Sequence, residues 1–365
     1  MMVSLYTFTE FHEILDRFSQ VYQPELLIEC PAASIVRTLK PRAKRVCRFC
    51  GRRNPDTKFN NRPHIIPELL GNRYLISDFE CDECNELFSP WENDLAHFLG
   101  AVRAVHQVRG KKLPGFTSLH EKVKVRNKDF YGVKDAITIS RDGVDNDNFQ
   151  FDSTTGTLKI RYTKQPYTRL KVYKALLKIA LSVMPERYVD DYERLFSLLQ
   201  RDDEDKLARF AKVGISKVPI RPVYPRCHIN KRISNEVKAY THTFSLYFQD
   251  YVFELAIPLH KADMAVAQPN DDYRIYPCPP LFFEKPDDGL ISECDFMWAD
   301  FSSSTQVREP QELTITVPPE VFNNTPAFNP ETGEIREPSD VAPEFVTVYM
   351  TRGDDLPSFP MGTSQ

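Results

Sequence analysis

The sequence predicts an α+β chain in which a small metal-stapled module near the N-terminus is followed by a helical segment and a β-rich C-terminal region. Three observations predict it. Two Cys-x-x-Cys pairs, Cys47/Cys50 and Cys81/Cys84, bracket residues 47–84. Apolar residues then recur at helical spacing between 169 and 212, and from about residue 215 the pattern changes to strand-like alternation broken by many prolines.

Length and composition bound what such a chain can be. Its 365 residues exceed one small module and suit two or three domains. With 41% hydrophobic and 12% aromatic residues it can bury a core, which excludes a disordered scaffold. No apolar run approaches the ~20 residues of a membrane-spanning helix. The opening residues reach the charged Glu10 and Glu13 before any apolar block forms, unlike a secretory leader. Four cysteines (Cys30, Cys227, Cys278, Cys294) are scattered without a disulfide framework, as in a reducing compartment. A soluble, cytoplasmic protein with no membrane association is expected.

Residues 1–40 form an N-terminal helical segment. Thr9 is placed to cap a helix whose apolar positions Phe11, Ile14, Leu15, Phe18 and Val21 share one face, followed by an extended stretch. That face packs or self-associates, offering a route to a homo-oligomer or a regulatory partner. His12 on it reads as a surface residue.

Residues 41–112 are the metal module. Two Cys-x-x-Cys pairs separated by enough chain for a hairpin supply four thiolates to one tetrahedral zinc ion, so Cys47, Cys50, Cys81 and Cys84 are read as structural Zn2+ ligands. Such pairs usually form a treble clef: a knuckle with the first pair, a β-hairpin, and a helix opened by the second pair. His64 then falls on the first hairpin strand, closed by Pro67, and faces the helix start where Asn85 sits. An imidazole opposite an amide oxygen and several carboxylates suits a divalent metal and an activated water. Pro90 predicts that the helix breaks at Ser89-Pro90 and restarts through Trp91, with Glu92 opening the second piece. His97 is read as a partly buried helix residue.

Charge is unevenly spread around this module. The net charge is −4, yet residues 40–62 hold nine Lys or Arg against one acid, and residues 103–128 hold eight against one. Residues 63–99 between them hold eight acids and one base. Basic flanks around an acidic centre suit a nucleic-acid partner: the flanks hold phosphates and the centre holds a cation. Arg45, Arg52, Arg53, Lys58, Arg62, Lys111 and Lys112 are the candidate phosphate contacts.

Residues 113–214 hold connector strands and helices. Leu113-Pro114-Gly115 is a turn, residues 123–125 and 158–162 are short strands, and the polar loop at 143–148 lacks the glycine and glutamate of a calcium loop. A continuous apolar stripe predicts a helix over 169–184, ended by Pro185 and read as core packing. Two more helices follow, through Tyr188 to Leu199 and through Leu207, Phe210 and Val213. Residues 215–350 form a β-rich C-terminal domain, with a hairpin at 243–257 turning at Gln249-Asp250 and strands near 313–317 and 345–350. Dense prolines shorten these strands and favour a small sandwich or barrel-like sheet over a parallel one. His228, His242 and His260 show no ligand spacing. Residues 351–365 are a loose tail.

At Cys47, Cys50, the phrase Pro63-His64-Ile65-Ile66-Pro67-Glu68 with Leu70-Gly71-Asn72, and Cys81-Asp82-Glu83-Cys84-Asn85, the chain resembles the HNH endonucleases of the ββα-metal superfamily. The resemblance covers roughly 50–60 residues as a combined motif. It implies a ββα-metal, treble-clef module and a phosphodiester hydrolase acting on DNA or RNA, with His64 as general base and Asn85 as a ligand of catalytic Mg2+ or Mn2+. Many family members carry a metal-binding Asp, Glu or His just before the base histidine, and here that residue is Pro63. Either a carboxylate such as Glu68 or Glu92 replaces it, or the site binds metal weakly. Relatives of this layout often act in bacterial restriction or antiviral defence. Two rival readings remain: a nucleic-acid-binding zinc module with a decayed catalytic site, and a C-terminal sensor for which the zinc module is the effector.

Overall fold

Alternation along the chain near residue 250 folds into a tight antiparallel hairpin. Strands His242–Phe248 and Tyr251–Ile257 pair with Phe244 opposite Leu255 and Leu246 opposite Phe253, and Gln249 takes a left-handed φ of 53° in the turn. The computed structural model describes residues 4–30, 39–121, 123–130, 133–141, 148–152, 154–201, 203–266, 274–316, 327–328, 335–336 and 348–350. All of the polar loop at 143–148 but its last residue, and the tail at 351–365, lie outside the described residues. Among the described residues the α-helices are α1 (His12–Ser19), α2 (Asp82–Leu99), α3 (Val102–Val105), α4 (Arg169–Val183), α5 (Glu193–Arg201), α6 (Glu204–Ala208) and α7 (Lys261–Val266). The chain divides into two units that interleave in sequence, one from residues 1–95 with 168–306 and the other from 96–167 with 307–365.

The first unit is built on a six-stranded antiparallel sheet in the order Tyr22–Glu29, Arg226–Arg232, His242–Phe248, Tyr251–Ile257, Lys212–Lys217, Asp295–Asp300. The extended stretch after α1 is thus an edge strand of this sheet. Phe8, Phe18, Val21, Tyr22, Val218, Tyr247, Val252 and Phe282 join in one buried cluster against which Phe11 and Leu15 pack, so this face of the N-terminal segment packs inside the unit. Thr9 does not cap α1. A 3-10 turn, Thr9–Phe11, precedes that helix, placing Thr9 a turn too early, and both its backbone N–H and its hydroxyl donate to the Asp288 carboxylate.

Helix α4 is buried at every residue from Leu170 to Val183 except Lys171, and it packs against strand Arg226–Arg232. The predicted third helix ends at Ala208. Val213 instead lies on strand Lys212–Lys217, whose four central residues are buried between two neighbouring strands.

Among the described residues the second unit holds two larger antiparallel sheets and the short antiparallel pair Ala327–Phe328 with Ile335–Arg336. Strands Phe116–Thr117, Val123–Phe130, Val133–Arg141 and Val348–Met350 form one; Phe149–Asp152, Thr157–Thr163 and Pro310–Thr316 form the other. Phe116, Val123, Val125, Ile137, Ile139, Leu158 and Ile160 share its core. The strand predicted near 313–317 therefore pairs with Thr157–Thr163, not with the hairpin at 242–257 as a single C-terminal sandwich or barrel would require.

Candidate active site and metal centre

The first Cys-x-x-Cys pair forms a knuckle. Arg53 bridges back to Val46, Cys47 N–H donates to the Arg52 carbonyl at 2.8 Å, and Gly51 N–H to the Cys47 carbonyl at 2.8 Å. Gly51 adopts φ 70° here, a left-handed conformation that costs glycine nothing. The second pair lies at the N-terminus of α2: Cys81 directly precedes it, Cys84 lies in its first turn, and Asn85 N–H closes that turn on the Cys81 carbonyl at 3.0 Å.

These two pieces bring all four thiols within 4.8 Å of one another, with Cys47, Cys81 and Cys84 buried and Cys50 half-buried. The Cys47–Cys84 and Cys50–Cys81 sulfur separations are 3.6 and 3.7 Å. Zn–S bonds of about 2.3 Å in a tetrahedron imply sulfur–sulfur edges of about 3.8 Å. The cluster therefore fits structural zinc in size as well as donor chemistry. The four thiols perturb one another through their mutual hydrogen bonds, which lower Cys50 and Cys81 and raise Cys47 and Cys84. The Gln200 side-chain amide donates to Cys84 Sγ at 3.0 Å from α5. Arg48, inside the knuckle, donates through Nη1 to the carbonyls of Leu181, Ser182 and Met184 at 2.9, 3.0 and 3.0 Å and lies 4.0 Å over the Phe79 ring. Its guanidinium thus serves the C-terminal end of α4 and is not a phosphate contact, although it belongs to the basic run at 40–62.

The hairpin that carries His64 is short. His64 pairs with Ile76 as an antiparallel bridge, flanked by Ile65 N–H to the Leu75 carbonyl at 2.9 Å and Ser77 N–H to the Pro63 carbonyl at 2.8 Å. Its loop is closed by Asn72, which is 0% exposed. The Asn72 amide donates to the Ile66 and Leu75 carbonyls at 2.6 and 3.0 Å, and its oxygen accepts from Tyr74 and Leu75 N–H at 3.1 and 2.9 Å. Four bonds satisfy one buried amide, so Asn72 ties the two sides of the loop together. Glu68 lies in this loop, in the 3-10 turn Glu68–Leu70.

Helix α2 runs unbroken from Asp82 to Leu99 with Pro90 inside it, which corrects the predicted break at Ser89-Pro90. Pro90 faces solvent while its neighbours Phe88, Trp91 and Leu95 are buried to within 1% exposure, so the bond lost on the outer side is outweighed by packing on the inner one. Asn85 and Glu92 consequently stand seven residues apart on one continuous helical stripe, both half-buried. Their amide and carboxylate oxygens are the hard donors that Mg2+ or Mn2+ takes, while Pro63, buried on the hairpin, offers none. Glu92 Oε1 lies 3.0 Å from Lys178 Nζ, and the same ammonium is 3.3 Å from Glu80 Oε2 and 3.4 Å from the His64 carbonyl. Burial would push Lys178 down, but the two carboxylates outweigh it and hold the lysine charged.

Among the described residues, the four cysteines are the only group of three or more His, Cys, Asp or Glu whose ligand atoms come within 4.8 Å of one another. His64, Glu68 and Glu92 are thus not gathered into a three-ligand set. Arg52, Arg53, Lys58 and Arg62 are exposed and Arg45 is half-buried; Lys111 and Lys112 are exposed in the other unit. The loop bearing Lys58 and Arg62 is held to the start of α2 by Asn60 and Asn61 N–H donating to the Asp82 carboxylate at 3.1 and 2.9 Å. His97 Nδ1 lies 2.8 Å from the Pro166 carbonyl, in keeping with a half-buried helix residue.

Sequence reasoning alone misses Lys178, Arg48 and Gln200. A signal for Lys178 was present: Lys171, Lys174 and Lys178 at i, i+3 and i+7 line one stripe of an otherwise apolar helix, and a lysine there needs anionic partners.

A family model described as HNH endonuclease matches residues 47–90. No curated protein and no solved structure matches the chain. No helix among the described residues is long and apolar enough to cross a membrane.

Proposed function

We propose that this chain, through the HNH endonuclease domain at residues 47–90, is a metal-dependent endonuclease that hydrolyses phosphodiester bonds in DNA or RNA. The observation that carries the reading is this domain, with its four-cysteine cluster and with His64 on the short hairpin that Asn72 closes. In the proposed reaction His64 takes a proton from water as the water oxygen bonds to phosphorus. The P–O3′ bond then breaks, and the leaving oxygen gains a proton from solvent. An imidazole suits this role because its proton affinity lies nearest neutral pH. Asn85 would hold the divalent cation, with Glu68 or Glu92 supplying the carboxylate that Pro63 does not. When bound, Mg2+ or Mn2+ stabilises negative charge on the phosphate and the leaving oxygen.

Exposed Arg52, Arg53, Lys58 and Arg62 support a role in holding phosphates on either side of the scissile bond. A DNA substrate and a setting in restriction or antiviral defence belong to the proposal by family resemblance. A second reading, a nucleic-acid-binding module with a decayed catalytic site, is favoured by Pro63, which puts no donor atom beside His64. Incubating the purified chain with plasmid DNA and with RNA in Mg2+ or Mn2+, against an EDTA control, separates the two. Metal-dependent nicking supports the nuclease, and binding without cleavage in any divalent metal supports the decayed site.

A further inference from the structure

Three lysines of α4 meet α2 along one stripe. Lys171 Nζ is 3.9 Å from Asp94 Oδ2, Lys174 Nζ lies 4.9 Å over the Trp91 ring, and Lys178 Nζ is 3.0 Å from Glu92 Oε1. Of the three, Lys178 also reaches the hairpin. Its ammonium sits between the His64 carbonyl, Glu80 and Glu92, and the residue is 1% exposed. Its helix neighbours Leu177, Ile179 and Leu181 are apolar and fully buried. Packing alone would be served by another such residue, because removing an ammonium from water carries a penalty that good packing avoids. What the ammonium adds is a junction between three segments: the strand of His64, the residue before the zinc ligand Cys81, and the stripe of Asn85. The two carboxylates differ in access. The Glu80 side chain is 0% exposed and sealed in the core, whereas that of Glu92 is 28% exposed and faces outward.

We propose that Lys178 is a positioning residue of the nuclease centre. It fixes the Glu92 carboxylate against the strand of His64, so that Glu92 serves as the metal-binding acid that Pro63 cannot supply. This deepens the nuclease reading above and rests on it. Lys178 comes from α4, outside the HNH domain at 47–90, so the site is completed by a helix the domain does not contain.

The test uses the full-length, zinc-loaded chain. Burial raises the Glu80 carboxyl to about 7 even beside the lysine, and Lys178→Met alone would leave it in the core without its cationic partner, so that change is paired with Glu80→Gln, and Glu80→Gln alone is the control. Three quantities are read: zinc content, Mn2+ affinity from the EPR signal of free Mn2+ without nucleic acid, and the NMR resonances of the His64 imidazole. The double variant is expected to keep its zinc, to bind Mn2+ about 10–100-fold more weakly than the control, and to show displaced or broadened His64 resonances. Glu92→Gln is expected to weaken Mn2+ binding similarly, and adding it to the double variant to weaken it no further. Mn2+ affinity and His64 resonances matching the control would overturn the proposal. So would loss of zinc in the double variant but not in the control, since Lys178 would then be a folding residue. A wild-type chain that cuts neither DNA nor RNA defeats the nuclease reading, and the His64 resonances still decide whether Lys178 positions that strand.

Discussion

Arg48, next to Cys47 of the four-cysteine cluster in sequence, donates through Nη1 to the carbonyl of Leu181 in the last turn of α4 at 2.9 Å. Through this bond, and those to Ser182 and Met184, the knuckle terminates a helix more than a hundred residues away in sequence. The four-cysteine module is therefore braced by α4 and α5 within its own unit and does not rest on its cysteine cluster alone.

Arg48→Ala should accordingly destabilise the first unit by about 3 kcal/mol, since it leaves several buried carbonyls without their charged donor. Arg48→Lys should recover part of this, because an ammonium keeps the charge but loses the fork. Thermal unfolding checks both, with an expected fall of roughly 5–10 °C for the alanine variant. An unchanged transition would mean that the bonds to Leu181, Ser182 and Met184 contribute nothing net.

Zinc removal should unfold the module and not merely silence it, because metal binding by four thiolates is itself folding free energy, about 10 kcal/mol or more in small zinc modules. Cys84→Ser should lower soluble yield and thermal stability together. Elemental analysis of well-folded wild-type chain is expected to find one zinc per molecule, and a value clearly below that would refute the centre.

Charge reversal at Arg53 and Arg62 should weaken nucleic-acid binding alike for all sequences. It should also reduce the slope of log affinity against log salt by about 0.9 for each phosphate that is no longer neutralised. A filter-binding series over salt concentration reads this directly. If the slope is unchanged, these residues are solvated surface.

Glu254 in the central hairpin offers a pH test remote from the metal centre. Burial raises its carboxyl to about 8, and its nearest polar partner is the Cys278 N–H at 2.8 Å. With a folded value above the unfolded one of about 4.3, its protonated form favours the native state. That stability is complete below the unfolded value and is lost as pH rises toward about 8. Glu254→Gln should flatten the decline between about pH 4.5 and 8, a difference of about 4 kcal/mol across the window. Chemical denaturation at a series of pH values measures it, and parallel curves for the two proteins would contradict the assignment.

Much of the site was legible in the sequence because its parts are local. The Cys-x-x-Cys spacing, the His64 phrase and the start of α2 each lie within a few residues, and the hairpin at 242–257 declares itself by alternation. What was not legible depends on partners distant in sequence. Lys178 reads as one lysine in an apolar helix until Glu80 and Glu92 fold against it, and Arg48 reads as part of a basic run until the end of α4 arrives beside it. Pro90 misled for the opposite reason: a local rule about proline was outweighed by burial of Phe88, Trp91 and Leu95. The edge strand Tyr22–Glu29 and the pairing of Pro310–Thr316 with Thr157–Thr163 are long-range registers that no single stretch encodes.

The most direct test of the central claim is single-turnover cleavage by His64→Ala at saturating Mn2+, with zinc content and thermal stability measured on the same preparation. A general base contributes about 10²–10⁴-fold, so the variant should lose at least about 100-fold in rate while keeping its zinc and its unfolding transition. Cleavage within a few-fold of wild type by a folded, zinc-loaded His64→Ala chain would contradict the account.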